Sequence, residues 1–221
     1  MSGRGPRLFS LPPRIGALPV GSTIKLNVAS TPWEFLVVHQ GLPSDMYDAS
    51  CDGTWMLMKD IYENRAWNSS DVNNYETSAI DTWLNGDFLG LLDSNIQGAI
   101  KQAKIPYRVN KTIMSGTDGL PVKIFLLSVC EVGSAGTNTP KDGAKLDYFT
   151  ASSGGDSKRI AYLNGSATIW WLRSPNTGDS SKVWRVGSDG RAGRYPASSL
   201  LGIRPAFILP SDFIVTEDMI A

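Results

Sequence analysis

From Val20 onward the chain alternates short apolar runs with turn-forming clusters, and the period of those runs changes along its length. The runs "STIKLNV" and "WEFLVVHQ", joined by "ASTP", are dense in β-branched and aromatic residues and predict a β-hairpin. "TWMLMKD", Thr54 to Asp60, predicts a third strand. The period then turns helical: Ile80, Trp83, Leu84, Phe88 and Leu91 recur at helical spacing behind a Ser78/Asp81 capping pair. A second helix is predicted from Asp93 or Ser94, with Ser94 and Gln97 as its capping box and Ile96 and Ile100 facing inward. The β pattern returns with "VKIFLLS", Val122 to Ser128, and is followed by Gly-, Ser- and Thr-rich loops around residues 133–140 and 150–157. A short amphipathic piece, "DGAKLDYF", lies between those loops. Strands resume in "SATIWWLRS", "KVWRVGS" and "LGIRPAFILP", with "SDG" (Ser188 to Gly190) as a tight turn. No repeat and no linker interrupt Val20 to Pro210, so the pattern predicts one α+β domain.

The densest segment is "TIWWLRSP", Thr168 to Pro175. On a strand, Ile169, Trp171 and Arg173 face one way while Trp170 and Leu172 face the other. Both faces are apolar, so the strand should be covered on both sides, with its tryptophans as core. Arg173 comes last, where its guanidinium can meet a carboxylate or several carbonyls in fork geometry, and Pro175 stops the ladder. "GIRPAFILP" behaves alike: Ile203, Phe207 and Leu209 share a face, Arg204 lies on the other, and Pro205 implies an edge or bulge. Trp170, Trp171, Arg173 and Arg204 are therefore assigned to structure, both arginines being expected partly buried and hydrogen-bonded.

Composition narrows the functional classes. At 221 residues the chain can bury most of its apolar surface without disulfide staples. Lys+Arg 21 balances Asp+Glu 21, which argues against a nucleic-acid partner, since that demands a basic face. Cys51 and Cys130 show no CxxC or Cys/His spacing; no structural zinc is expected, and two buried free thiols are favoured over a disulfide. No apolar run nears the roughly 20 residues of a membrane helix. The N-terminus lacks the apolar core of a signal peptide, so a protein working outside the cell is expected to leave by lysis or within a larger particle. Residues 1–17 carry Arg4, Arg7 and Arg14 among Pro6, Pro12 and Pro13, and read either as a disordered terminus or as an extended arm docking on a neighbouring subunit. Residues 18–210 form the body and 211–221 a tail.

Catalytic chemistry finds little support. His39, the sole histidine, shares its strand face with Phe35 and Val37 and is expected to pack. No GxSxG context supports a serine triad. "SGTDGLP" and "SSGGDSKR" lack the order that wraps phosphates, and no Asp-rich calcium loop occurs. Carboxylates stand in no acid/base arrangement, although a glycosidase needs only two facing carboxylates and no motif. No catalytic residue, metal or cofactor is assigned. The stretch Asn176 to Leu200 is different, mixing aromatics and charges among Ser and Gly. Lys182, Trp184, Arg185, Asp189, Arg191, Arg194 and Tyr195 make up the vocabulary of a binding surface. The competing reading is a surface hairpin with ordinary charges, Trp184 turning inward beside Val186.

"WWLRSP", followed about thirty residues later by "GIRPAFILP", resembles a domain-of-unknown-function family common in gut Firmicutes and their prophages. The likeness extends upstream through "LPVGSTIKLNV" to "SAIDTWLN" and covers about Leu18 to Pro210. That family in turn is distantly similar to the C-type-lectin-like fold of formylglycine-generating enzymes and of the variable proteins of diversity-generating retroelements. The resemblance implies two helices packed on a twisted antiparallel sheet, with a ligand surface built by late loops and strands, here Asn176 to Leu200. It argues against catalysis, because Cys51 and Cys130 fall outside the region of the formylglycine cysteines. The E-P-N and W-N-D calcium triplets of true C-type lectins are missing, which makes metal-independent recognition the expectation.

Three functions follow as expectations. The first is a non-enzymatic component of a phage or phage-like particle, at a tail tip, on a fibre or as a head decoration, that binds a bacterial surface glycan or protein. Its N-terminal arm would hold it to other virion proteins or to its own homo-oligomer. The second is a purely structural virion protein touching only sister subunits. The third is a cell-wall carbohydrate-active enzyme, which requires two carboxylates about 5–10 Å apart in a cleft.

Overall fold

A computed structural model of the chain describes residues 12–151 and 154–220. Most of the proline- and arginine-rich arm, residues 1–11, lies outside the described residues. The first strands are β1 (Thr23–Val28), β2 (Thr31–Gln40), β3 (Thr54–Met58) and β4 (Asn64–Ala66). Five short ones follow: β5 (Ala103–Ile105), β6 (Tyr107–Val109), β7 (Thr112–Met114), β8 (Leu120–Val122) and β9 (Ile124–Phe125). Then come β10 (Ala161–Leu163), β11 (Ser166–Thr168), β12 (Trp170–Pro175) and β13 (Lys182–Val186). The last are β14 (Ala192–Pro196), β15 (Leu200–Gly202) and β16 (Ala206–Leu209).

Two five-stranded sheets carry the architecture. One has the order β1-β2-β3-β16-β9 and is antiparallel throughout. The other has the order β14-β13-β12-β15-β4, with β12 and β15 parallel. Three two-stranded ribbons, β5–β8, β6–β7 and β10–β11, hang from this frame.

The expected two-helix α+β, C-type-lectin-like fold is not what the chain adopts. It is mostly sheet, with 35% strand against 16% helix, one 13-residue helix and several sheets. That helix is built from α1 (Ala79–Trp83), a π-helical stretch (Leu84–Phe88) and α2 (Leu89–Leu91). The second expected helix shrinks to α3 (Ser94–Ala99), only six residues. Its Ile96/Ile100 spacing spans a single turn, and the Lys101 N–H goes to Ile208 O at 2.9 Å, which draws the chain out of the helix onto the sheet. The π stretch also has a cause in the sequence. Ile80, Leu84 and Phe88 recur every four residues, so in a regular α-helix each step would drift by about 40°. A wider i→i+5 turn absorbs the drift, and all three side chains are fully buried.

One hydrophobic core runs through both sheets. β3, β12 and β16 are buried along their whole lengths, the mark of strands covered on both faces. Phe35 packs on Phe207 with ring centroids 5.2 Å apart, and Trp55 meets Phe125 edge-on at 5.5 Å. Cys51 and Cys130 are buried free thiols, each pushed up to about 12 by burial. The terminal segments are stitched together: Ile15 N–H donates to Phe213 O at 2.8 Å, and Val215 N–H to Pro13 O at 2.9 Å. Ile15 and Val215 are both buried, so the packed body reaches beyond 18–210 on each side.

Candidate functional site

The surface formed by Asn176 to Leu200 begins where β12 ends, and the end of β12 is fixed by a buried polar network. Arg173 is only 1% exposed, deeper than a strand-end arginine is expected to lie. Its Nη1 and Nη2 each donate to a Glu131 carboxylate oxygen at 2.6 Å in bidentate geometry. Its remaining protons reach Pro106 O, Leu126 O and Asp142 O. Burial opposes the charge on Arg173, but Glu131 more than offsets it and raises the guanidinium pKa above its ordinary value. The neighbouring Ser174 Oγ lies 2.8 Å from Asp142 Oδ2, and Tyr47 donates to Glu131 at 2.8 Å. Burial pushes Asp142 up to about 6, against the pull of Arg173 and Ser174. Glu131, Asp142 and Tyr47 therefore serve the interior, with every carboxylate oxygen engaged.

Arg204, 2% exposed, has no such carboxylate. It donates to Met58 O and Lys59 O, and its guanidinium lies 4.5 Å from the Trp170 ring centroid. Burial lowers its pKa to about 10. Trp170 and Trp171 are fully buried, their indole N–H groups donating to Arg159 O and Arg65 O. His39 is buried too, its Nδ1 2.8 Å from Asp147 Oδ2 but without hydrogen-bond alignment.

Beyond Pro175 the chain turns back as the β13–β14 hairpin at the end of its sheet. Its register pairs Trp184 with Arg194 and Val183 with Tyr195, which divides the seven candidate contact residues between two faces and a turn. On one face Trp184 is 7% exposed, donates to Asn138 O at 3.1 Å and lies under Arg194, whose guanidinium is 5.1 Å from its ring centroid. Lys182 follows on that face, paired with Asp179 at 2.9 Å. On the other face the Arg185 guanidinium stacks 5.3 Å from the ring of Tyr195, which is 38% exposed. Gly193 makes that stack possible, because a Cβ there would sit 2.7 Å from Arg185 Cζ. In the turn, Asp189 accepts from the Arg191 N–H and faces its guanidinium at 3.8 Å.

Two clefts share Asn176 in their walls, and the second also takes in Lys182, Gly193 and Arg194 of the hairpin. One, of about 280 Å³, lies between residues 71–74, the β6–β7 turn and residues 175–180. The other, of about 460 Å³, lies between Asn138, the 176–182 loop and Arg194. Asn73 fixes their shared wall, its Nδ2 donating to Asn176 O, Asp179 O and Lys182 O. Serine hydrogen bonds from Ser181, then Lys182, hold Asp179 well below the usual carboxylate range. Among the described residues no group of His, Cys, Asp and Glu side chains is placed to hold a metal ion.

A family model described as "Domain of unknown function (DUF6273)" matches residues 52–211. The chain belongs to the DUF6273 family. No curated protein and no solved structure matches it. The DUF6273 span contains β3 to β16, the clefts and the buried network except Tyr47, while β1 and β2 add to the edge of β3 from outside it. Several residues that shape the DUF6273 surface escape sequence reasoning. Asn73, Asn74, Arg108 and Lys111 belong to short segments with no apolar period, and only the ribbon β6–β7 brings two of them to the cleft. Arg159 is fully buried and donates to carbonyls of Val132, Gly133, Thr150 and Gly190, tying together the loops behind the hairpin.

Proposed function

We propose that this DUF6273 protein is a non-enzymatic component of a phage or phage-like particle, at a tail tip, on a fibre or as a head decoration, that binds a glycan or protein of the bacterial surface. The observation that carries this reading is the β13–β14 hairpin. It displays Arg194 and Tyr195 on rigid aromatic and guanidinium stacks, with Arg194 at the wall of a cleft. Stacked side chains lose little freedom on contact, which favours recognition. The particle context rests on the resemblance of "WWLRSP" and "GIRPAFILP" to a family common in gut Firmicutes and their prophages. The N-terminal segment is its proposed anchor to the particle or to a homo-oligomer.

A second reading, a structural protein contacting only sister subunits, is favoured by β14. It ends its sheet as an edge strand, and an unpaired edge suits self-association. Binding of the purified chain to intact Gram-positive cells and isolated walls separates the two. Saturable binding that an Arg194→Ala/Tyr195→Ala variant weakens at unchanged thermal midpoint supports recognition. Absence of binding to any surface, with the hairpin covered between subunits in electron micrographs of the assembly, overturns it.

A further inference from the structure

We infer that the partner of this surface is a polypeptide, an extended carboxylate-bearing segment that adds itself as a strand to β14; this rests on the surface-binding reading above and specifies the partner. The first argument is the ladder. Ala197 N–H donates to Ser181 O and Gly187 N–H to Arg191 O, in the same register that pairs Val183 with Tyr195. Bonded and non-bonded positions alternate along an antiparallel pair. Gly193 and Tyr195 therefore bond β13, while Ala192 and Arg194 turn their N–H and C=O groups away from it. None of those four groups has a hydrogen-bond partner among the described residues. Pro196 has no N–H and its C=O accepts from the Ser199 N–H, so the open run ends there. The first sheet closes its ends: Ile220 and Leu92 bridge to β1 at Ile24 and Val28, and Asn85 holds the N–H and C=O of Ile124 in β9. β4, at the far end of the second sheet, is three residues long, and its Arg65 is paired with Glu63 at 2.7 Å.

The second argument is what such an edge accepts. Donor and acceptor pairs two residues apart repeat at about 7 Å, the spacing of another strand's main chain, which is how an extended peptide joins a sheet. A sugar polymer or a nucleic acid carries no matching row of paired donors and acceptors. The third argument is charge. β14 contains Arg194 and no acid, with Arg191 just before it. Arg194 is exposed and joins no ion pair among the described residues. Arg191 meets Asp189 only loosely, at 3.8 Å. A carboxylate on the added strand directly across from Arg194 would lie beside it, and opposite charges stabilise such a cross-strand pair. A second copy is the poorer occupant. Two β14 strands meeting across a two-fold axis gather both sets of arginines at one seam, where like charges repel.

Fluorescence anisotropy of labelled peptides titrated with the full chain tests this. The probes are capped ten-residue peptides of alternating Val and Thr, with three positions given to Glu, to Lys or to Ser. A fourth is the Glu peptide N-methylated at its two central residues, which keeps the side chains and blocks strand pairing on both edges. The Glu peptide is expected to bind at least about tenfold more tightly than the other three, and to weaken as salt rises. Ala192→Pro deletes one outward N–H and no charge, at an edge position where proline is tolerated. It is expected to lower that affinity about tenfold or more at unchanged thermal midpoint, and Arg194→Glu to shift the preference to the Lys peptide. Equal binding of the N-methylated, Lys or Ser peptide, unaltered affinity in Ala192→Pro, or no binding of the Glu peptide overturns the assignment. Self-association in sedimentation velocity that Ala192→Pro abolishes overturns it too, by giving the edge to a second copy. If the wild type still binds cells while the Glu peptide fails, only the added strand is lost. If cell binding is also absent, the surface-binding reading falls with it.

Discussion

A guanidinium cut off from water must find its partners within the protein, and Arg173 and Arg204 solve this differently. Arg173 has the Glu131 carboxylate in bidentate contact, whereas Arg204 has two carbonyls and the face of Trp170. The difference predicts different responses to the same substitution. Arg173→Met strands Glu131 as a buried, uncompensated charge and is expected to cost about 3–5 kcal/mol in urea unfolding. Arg204→Met removes a buried charge that has no carboxylate and is expected to cost clearly less, about 1–2 kcal/mol, for the carbonyls left without donors. Equal losses would refute the distinction. The sequence showed both arginines at the ends of apolar strands. It did not show their partners, because Glu131 and Asp142 lie 42 and 31 positions from Arg173 and such separations leave no periodic trace.

At the level of elements, strands were easier to read than helices. The runs around Thr23–Val28, Thr54–Met58 and Trp170–Pro175 announce themselves by β-branched and aromatic density. The segment after Asp93 shares its apolar spacing with a longer helix, but α3 stops after six residues where the Lys101 N–H bonds the sheet, a tertiary effect absent from local pattern. Turns carry their own lesson. The two-residue turn Asn164–Gly165 has φ of 51° and 81°, matching the favoured Asn-Gly hairpin. The β6–β7 turn places Lys111 at φ 69°, a conformation that costs a side-chain-bearing residue energy. Lys111→Gly is therefore expected to raise stability by about 0.5–1 kcal/mol in thermal or urea unfolding. Coupled to weaker ligand binding, that gain would mark the turn as a place where strain is kept for function. A loss of stability would show that the lysine side chain holds the turn.

For the whole molecule, buried acids set the response to pH. Burial raises Asp81 to about 7 and Asp142 to about 6, both above the unfolded carboxylate value of about 3.9. Between those limits the native state retains protons that the unfolded chain has released, so stability falls as pH rises from about 4 to about 7. Below about 4 the trend reverses, because Asp48, Asp71 and Asp179 are held down by hydrogen bonds and favour the fold only while ionised. Greatest stability is thus expected near pH 4–5. Asp142→Asn should flatten the urea-midpoint profile from pH 4 to 6, each buried acid contributing at most about 1.4 kcal/mol per pH unit. A midpoint that climbs from pH 4.5 to 7.5 would contradict this. None of this was legible beforehand, since neither Asp81 nor Asp142 differs in sequence context from an exposed aspartate.

The two sequestered thiols have a practical consequence. Cys51 and Cys130 are the chain's only cysteines, and burial keeps both protonated at neutral pH and shut away from reagents. A single cysteine introduced on the rim of either cleft would then be the one handle open to maleimide chemistry in the native fold. Fluorophores or spin labels could report ligand arrival there without first stripping the natural sulfurs from the core. The same arrangement makes the native cysteines a clock for opening, because their labelling rate counts the moments when the interior meets solvent.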